Sequence, residues 1–548
     1  MDESLAPPQA GTRHYTLLHS NEAPDSTEIP FLQSTSSRIG ARLAVLDEEI
    51  ARLTQLTAER ALLAAYDRQS KAVLSPVRRV PNEILAEIFL RTSDGIGFDT
   101  TQSPWVLTHV CSRWRTVSIS TYSLWSELWY YPGPRDFPLA AVQAQVQRAK
   151  TLRIEFYAWP GEGDARRHTA VLHCLTQSSA RWEELSLLVT PELMPLLPLI
   201  RDRLPSLRRL WLAWPQLGSR WRAVEDVDDQ PPFDYFRTAD SLVHLGVNRD
   251  IGSSVGEPRS ITIVVPSNQL TRYCADASWA THRGILSASP TLVEAYVNII
   301  DTDGPDLWPT PDETFDLPQL RCLYISDFKL LPNFKVPVLE QITIEICALE
   351  REDGEELDSF IERSLGEELD RFIATSSSTI RRLGLKGLPD KDVARTILQR
   401  FPSLDELAII IFWDPEDRRY DGDCGYCEWD PVEITNDLIP LLHPDTLLCP
   451  QLSRIHLASL MSSDLTHTLF LQMLESRWSV PDRALQAATL VLQCGSSPDE
   501  ETQHGIDSLI QQGLEFSLST EDKHLLKTMA FWMCTLEWDE HKTPSRLE

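Results

Sequence analysis

No stretch of this 548-residue chain approaches the roughly 18 consecutive apolar residues that cross a bilayer, so a membrane span is not expected. The opening MDESLAPPQAGTRHYT has acid and proline where a signal peptide has base followed by an apolar run, which argues against secretion. Positive charge is scarce. Lys and Arg number 51 against 80 Asp and Glu, a net charge of −29. Phosphate-binding surfaces are built from clustered Lys and Arg, so neither nucleic acid nor anionic lipid is an expected partner. Acidity of this size keeps a large protein dispersed and leaves room for a basic partner. The ten cysteines, from Cys111 to Cys534, form no repeating framework. They read as reduced thiols of the cytoplasm or nucleus. None of the seven asparagines lies in an N-x-[ST] sequon.

Catalytic signatures are missing as well. The chain has no G-x-x-x-x-G-K-[ST], G-x-G-x-x-G, H-E-x-x-H or G-x-S-x-G motif. Asp301-Thr-Asp303-Gly starts like a calcium loop but lacks the later acidic ligands and reads as loop acid. Cys424 and Cys427 form one C-x-x-C, followed by His443 and Cys449. Four such donors suit tetrahedral zinc. With no second C-x-x-C or H-x-x-x-H, the preferred reading is an insertion loop carrying two free thiols. No metal, cofactor or enzymatic activity is expected, and a hydrolase or metalloenzyme hidden in 413–450 is the least favoured class.

What is present is apolar patterning. The length suggests three or four domains or one long repeat array. Residues 1–37, rich in Ser, Thr, Pro and acid, read as a disordered tail. A long amphipathic helix is expected over 38–70, capped at Ser36 or Ser37. Leu43, Leu46, Ile50 and Leu53 step by 3, 4 and 3, a heptad seam that Thr57 and Arg60 then weaken. Two readings follow: a coiled coil making a homodimer through 39–68, or a single helix folding back on its own chain. The second is preferred.

Residues 74–130 carry more large apolar side chains than two short helices can bury against each other. Val80, Pro81, Ile84, Leu85, Ile88 and Phe89 open the segment, with Pro81 suited to a first helical turn. Leu107, Val110, Cys111, Trp114 and Val117 follow at helical spacing, and Leu124 and Trp125 close it. Each large side chain left in water forfeits about 1.5–3 kcal/mol, so the segment is expected to dock on something.

After residue 150 the pattern P-x-L-x-x-[LIA]-x-[LIV] begins at Pro205, Pro290, Pro318, Pro337, Pro402 and Pro450, with proline-free versions near Arg181, Ser241, Gln269 and Thr379. Stretches with helical spacing, such as Pro191–Leu204 and Val393–Phe401, lie between them. Alternate side chains of a strand point to one face, so each unit has one apolar face that only a stacked neighbour can cover. The result is an irregular leucine-rich-repeat-like solenoid over 150–520, with insertions at 350–376 and 413–448 and a C-terminal helix or tail at 521–548. The near-duplicate GEELDSFIERS and GEELDRFIATS predicts an acidic, solvated helix after the strand at Ile342–Ile346, with a dock for a basic partner as the second reading. Trp211, Tyr296, Tyr324 and His456 fall at the middle, outward position of their strands. They are candidate substrate-binding anchors, unless the strands are out of phase and these rings are core.

Taken in order, Val80–Phe89 (VPNEILAEIF), Val110–Arg115 (VCSRWR) and the region from Ser120 or Thr121 to Trp125 resemble the F-box of fungal F-box–leucine-rich-repeat proteins. The resemblance covers about 55 residues. It departs from the pattern at Val80, where Leu is usual, and in the longer, more polar loop Thr92–Ser103. It implies an α+β chain: an N-terminal helix, a small all-α F-box, then the α/β repeat solenoid. It also implies a substrate-recognition subunit of an SCF-type cullin–RING ubiquitin ligase, itself non-catalytic. Its partners would be a Skp-family adaptor, through that adaptor a cullin, and an unknown protein substrate. Carried over residue by residue, adaptor contact falls on Val80, Pro81, Ile84, Leu85, Ile88, Phe89, Val110, Cys111, Trp114, Leu124 and Trp125. Pro81, Leu85 and Phe89 are preferred for the interface, and some of the others must form the segment's own core. A non-ligase interaction scaffold is the alternative.

Overall fold

A computed structural model describes residues 6–92, 100–131, 138–158, 165–214, 232–249, 262–299, 309–310, 313–346, 357–376, 379–387, 391–411, 431–446, 448–461, 464–481, 483–494 and 498–519. The Asp301 loop, Cys424, Cys427 and the C-terminal stretch 521–548 lie outside these. The fold mixes helix and strand, with a long N-terminal helix and a large parallel sheet. The chain divides into two compact units, Met1–Glu87 and Ile88–Glu548.

In the first unit, α1 (Arg13–His19) is capped by Thr12, which accepts from the Tyr15 amide. Arg13 pairs with Glu22 and Glu28. Then α2 runs for 46 residues, Ile29–Leu74. Both helices occupy ground expected to be disordered. The start of α2 is set by Glu28 and Pro30, not by Ser36 or Ser37, because proline fits a first turn where its missing N–H costs nothing. No side chain of α2 is buried.

Helix α3 (Asn82–Leu90) starts just after Pro81, whose carbonyl accepts from the Leu85 amide. Among Ile88–Glu548, α4 (Leu107–Val110) and α5 (Ser112–Ser120) pack on each other, and α6 (Leu139–Arg148) follows. Fourteen strands then form one parallel sheet. They are β1 (Glu127–Tyr130), β2 (Leu152–Phe156), β3 (Trp182–Leu188), β4 (Arg209–Trp214), β5 (His244–Arg249), β6 (Arg272–Ala277), β7 (Glu294–Ile299), β9 (Cys322–Ile325), β11 (Gln341–Ile346), β12 (Arg382–Gly387), β13 (Glu406–Ile411), β14 (Arg454–Met461), β15 (Ala487–Cys494) and β16 (Glu515–Ser519). Short β8 (Phe315–Asp316) and β10 (Phe334–Lys335) pair separately. Strand order in the sheet is chain order.

Each proline-led motif places its strand four residues after the proline: Arg209, Glu294, Cys322, Gln341, Glu406 and Arg454 follow Pro205, Pro290, Pro318, Pro337, Pro402 and Pro450. The motif's two apolar positions point inward and are buried, as in Leu210 and Leu212, Leu323 and Ile325, and Leu407 and Ile409. A hydrogen-bond chain precedes the strands, with the amides of Arg321, Glu340, Arg381 and Asp405 donating to the carbonyls of Val293, Arg321, Glu340 and Arg381 at 2.8–2.9 Å. The sheet starts at β1, inside the segment expected to be all helix and ahead of the expected start at 150.

Three connections differ from expectation. Pro191–Leu204 holds a 3-10 turn, Met194–Leu199, because Pro195 and Pro198 remove the donors an α-helix needs. The duplicated acidic stretch forms α9 (Leu357–Ser376) after β11, as its position predicts. It is not merely solvated, since Leu365, Leu369 and Phe372 are buried. The helical spacing at Val393–Phe401 becomes α10 (Lys391–Arg400), whose Arg400 holds the α9 carboxylate of Asp370 at 2.9 Å.

Candidate partner-binding surfaces

Helix α3 has two dissimilar sides. Leu85 and Phe89, one turn apart, keep 1% of their surface each. Ile84 and Ile88, also one turn apart, keep 53% and 45%. Phe89 lies against Trp114 of α5 with ring centroids 4.8 Å apart. On α4, Val110 is 55% exposed, and Val106 just before it is exposed too. Helix α5 is capped by sulfur, the Cys111 thiol accepting from the Trp114 amide at 3.5 Å.

The end of this segment is internal. Leu124 and Trp125 are buried, and the Trp125 indole N–H donates to the Ser118 carbonyl at 2.8 Å. Trp105 meets Trp125 edge-on at 5.1 Å. The Arg148 guanidinium of α6 lies 4.3 Å from the Trp125 ring centre and 4.9 Å from that of Trp105. Four of the expected adaptor contacts, Leu85, Phe89, Leu124 and Trp125, are therefore core, two of the three preferred residues among them. Pro81, Ile84, Ile88, Val110 and Cys111 remain exposed, while Val80 and Trp114 are half-buried. The sequence showed the apolar spacing but not which side of α3 faces inward.

On the sheet, the four predicted anchors share one row. Register links Ser186, Trp211, Gly246, Cys274, Tyr296, Tyr324, Thr343, Gly384, Ala408, His456, Thr489 and Ser517 across neighbouring strands. Trp211, Cys274, Tyr296 and Tyr324 pack as one cluster. A Cβ on Gly246 would sit 1.8 Å from the Trp211 ring, so that ring lies over the glycine. Tyr296 and Tyr324 stack at 4.0 Å with an 8° tilt. They keep only 8% and 0% of their surface, so as free anchors both are corrected to buried packing. Trp211 and His456 are half-buried.

Two residues that sequence reasoning missed complete this row's chemistry. Tyr324 donates its hydroxyl to the buried Glu345 carboxylate, and Lys386 Nζ donates to the same carboxylate at 3.0 Å and to the Tyr324 oxygen at 3.3 Å. Burial first, then the Glu345 charge, pushes the Tyr324 phenol well above its ordinary pKa, which keeps it a donor. The signal was present: Glu345 and Lys386 stand two residues beyond the row on adjacent strands.

Two residues before the row runs a charged one. Arg153 lies 3.7 Å from Glu127 and 3.6 Å from Glu184, Arg209 3.2 Å from Glu184, Arg272 2.9 Å from Glu294, and Arg382 3.3 Å from Glu406. His456 Nε2 meets Glu406 at 3.0 Å. Desolvation raises the Glu406 pKa, but the His456 bond and charge, with Arg382 and Arg454, outweigh it and leave the carboxyl below its ordinary value. Beside this row an open groove of about 770 Å³ is lined by Arg321, Glu340, Arg381, Asp405, Arg454 and Gln486. Its charges of both signs suit a peptide or protein surface.

Among the described residues no group of three His, Cys, Asp or Glu is placed to hold a metal ion, and no helix is long and apolar enough to cross a membrane. Of the donors weighed for zinc, Cys449 is buried with its thiol directed at the Leu398 and Phe401 carbonyls, and burial pushes its pKa up to about 11. In sequence, no protein-family profile and no curated protein matches this chain.

Proposed function

We propose that this chain is the substrate-recognition subunit of an SCF-type ubiquitin ligase. It would bind a Skp-family adaptor through α3–α5 and a target protein on its strand-rich region, which we read as a leucine-rich-repeat solenoid. The observation that carries the reading is the division of α3: Leu85 and Phe89 are inside while Ile84 and Ile88 stay in water. Two isoleucines left about half exposed on an ordered helix together supply about 1.5–3 kcal/mol when a partner covers the rest of their surface. The adaptor contacts on this reading are Pro81, Ile84, Ile88, Val110 and Cys111. The chain performs no bond chemistry. It raises the effective concentration of a target lysine near a ubiquitin-loaded enzyme held elsewhere in the assembly.

The test is adaptor capture by wild type and by Ile84→Asp/Ile88→Asp. The variant is expected to bind at least ~100-fold more weakly with an unchanged melting temperature. Equal capture by both proteins rejects the assignment. Recovery of the cullin with the adaptor separates the ligase reading from the non-ligase scaffold, which would bring down the adaptor alone or neither.

A further inference from the structure

The longest helix among the described residues, α2, has an apolar seam whose side chains stand exposed. Leu43, Ile50, Leu53, Leu56, Leu63, Tyr66 and Val73 of α2 keep 49–70% of their surface. A helix draws most of its stability from covering such a face. The seam is also more regular than a fixed seven-residue count shows. Leu43, Leu46, Ile50 and Leu53 step by 3, 4 and 3, after which the fixed count meets Thr57, Arg60, Ala64 and Asp67. Restarting three residues after Leu53 gives Leu56, Glu59, Leu63, Tyr66, Ser70 and Val73. The restart falls one residue short of the fixed count, and such a shortening overwinds a coiled coil locally and lets the seam continue.

We infer that α2 pairs with α2 of a second copy, parallel and in register. Charge favours that occupant. The chain as a whole is at −29, yet α2 has six basic residues (Arg38, Arg42, Arg52, Arg60, Arg68, Lys71) against five acidic ones (Asp47, Glu48, Glu49, Glu59, Asp67), a balance of +1. Two copies meet here without the repulsion their other surfaces carry. With Leu43 and Ile50 at the a positions, Leu46 and Leu53 are d, and β-branched Ile at a with Leu at d favours two parallel strands. Arg42 then stands at g and Asp47 at e, so in parallel register each Arg42 faces the Asp47 of the other helix. The eight seam residues Leu43, Leu46, Ile50, Leu53, Leu56, Leu63, Tyr66 and Val73 offer on the order of 100 Å² each. Over two copies this approaches the ~1,600 Å² of a standard stable interface. The inference does not rest on adaptor binding, and its readout is mass alone.

Sedimentation equilibrium on the full-length protein tests it. Wild type is expected at twice the 62.2 kDa chain mass, and Leu46→Asp/Leu53→Asp at the single-chain mass with its sheet still melting at the wild-type temperature. Asp47→Arg is expected to raise the dimer dissociation constant about 5- to 10-fold, and Arg42→Asp/Asp47→Arg to restore it. A wild-type protein that stays monomeric at ~10 µM overturns the inference. So does a dimer indifferent to Leu46→Asp/Leu53→Asp. Failure of the charge swap to rescue Asp47→Arg overturns the parallel register.

Discussion

Helix α2 and the fourteen-stranded sheet solve the same problem in opposite ways. Both carry a regular apolar pattern, period 3.5 in one and period 2 in the other. In the sheet the inward pair of every strand but β16 is buried, and even the outward row is filled by Trp211, Tyr296 and Tyr324. In α2 the pattern is interrupted, and none of its side chains is buried. Apolar periodicity shows that a face wants covering, and only the length of chain able to return over it decides whether the cover is internal. Parallel strands in chain order bring each next unit back beside the last. A straight 46-residue helix, about 69 Å long, brings back nothing.

This contrast predicts where the molecule is brittle. The largest effect is expected in the sheet at Glu345→Ala, which leaves the nearly buried Lys386 charge without its carboxylate and should cost about 3–5 kcal/mol in urea unfolding. Glu345→Leu/Lys386→Met should recover most of that loss. A cost under 1 kcal/mol for the single variant would mean water reaches the pair, and that the sheet is less sealed than α2 is bare.

A somewhat smaller effect is expected from pH. His282 is fully buried, with Nε2 donating to the Asn298 carbonyl at 3.1 Å and Nδ1 therefore accepting from the Tyr273 hydroxyl at 2.9 Å. Burial lowers its pKa to about 4 from 6.5. The half-buried His244 is lowered to about 4 by burial and then by Arg272, Arg209 and Arg208. Because the unfolded chain takes up these protons first, the stabilisation is full above pH 6.5 and is lost progressively as pH falls towards 4. For His282 it is on the order of 3 kcal/mol. The slope of unfolding free energy against pH in that window, compared with His282→Asn, measures it. An equal slope in both proteins would place the titration elsewhere.

The smallest effect is expected at Gly246→Ala, where the new methyl meets the Trp211 ring. A loss of about 1–3 kcal/mol follows if the ring is held against Cys274, and near none if it swings away.

Much of the strand layout was legible. Six prolines each announce a strand four residues later because proline closes the turn while the alternating pair after it must point inward. Strands β1, β2, β15 and β16 lack that proline and went unread. The candidate sites were legible as residues but not as surfaces. Spacing placed Ile84, Leu85, Ile88 and Phe89 on one helix. Phe89 faces inward onto Trp114, 25 residues beyond it, and no local pattern encodes that contact. Tyr296 and Tyr324 were correctly placed at the outward position, yet they are buried because each stacks on the other, and because Glu345 and Lys386 close over the Tyr324 hydroxyl. Outward is a direction, and exposure depends on what the neighbouring strands carry.

The Arg148 guanidinium, set beside Trp105 and Trp125, has a practical consequence for anyone cutting this protein apart. A fragment ending at Tyr130 would strip α6 away and leave two indoles facing solvent without their cation. Any fragment that retains these two tryptophans keeps their cation only if Arg148 travels with them.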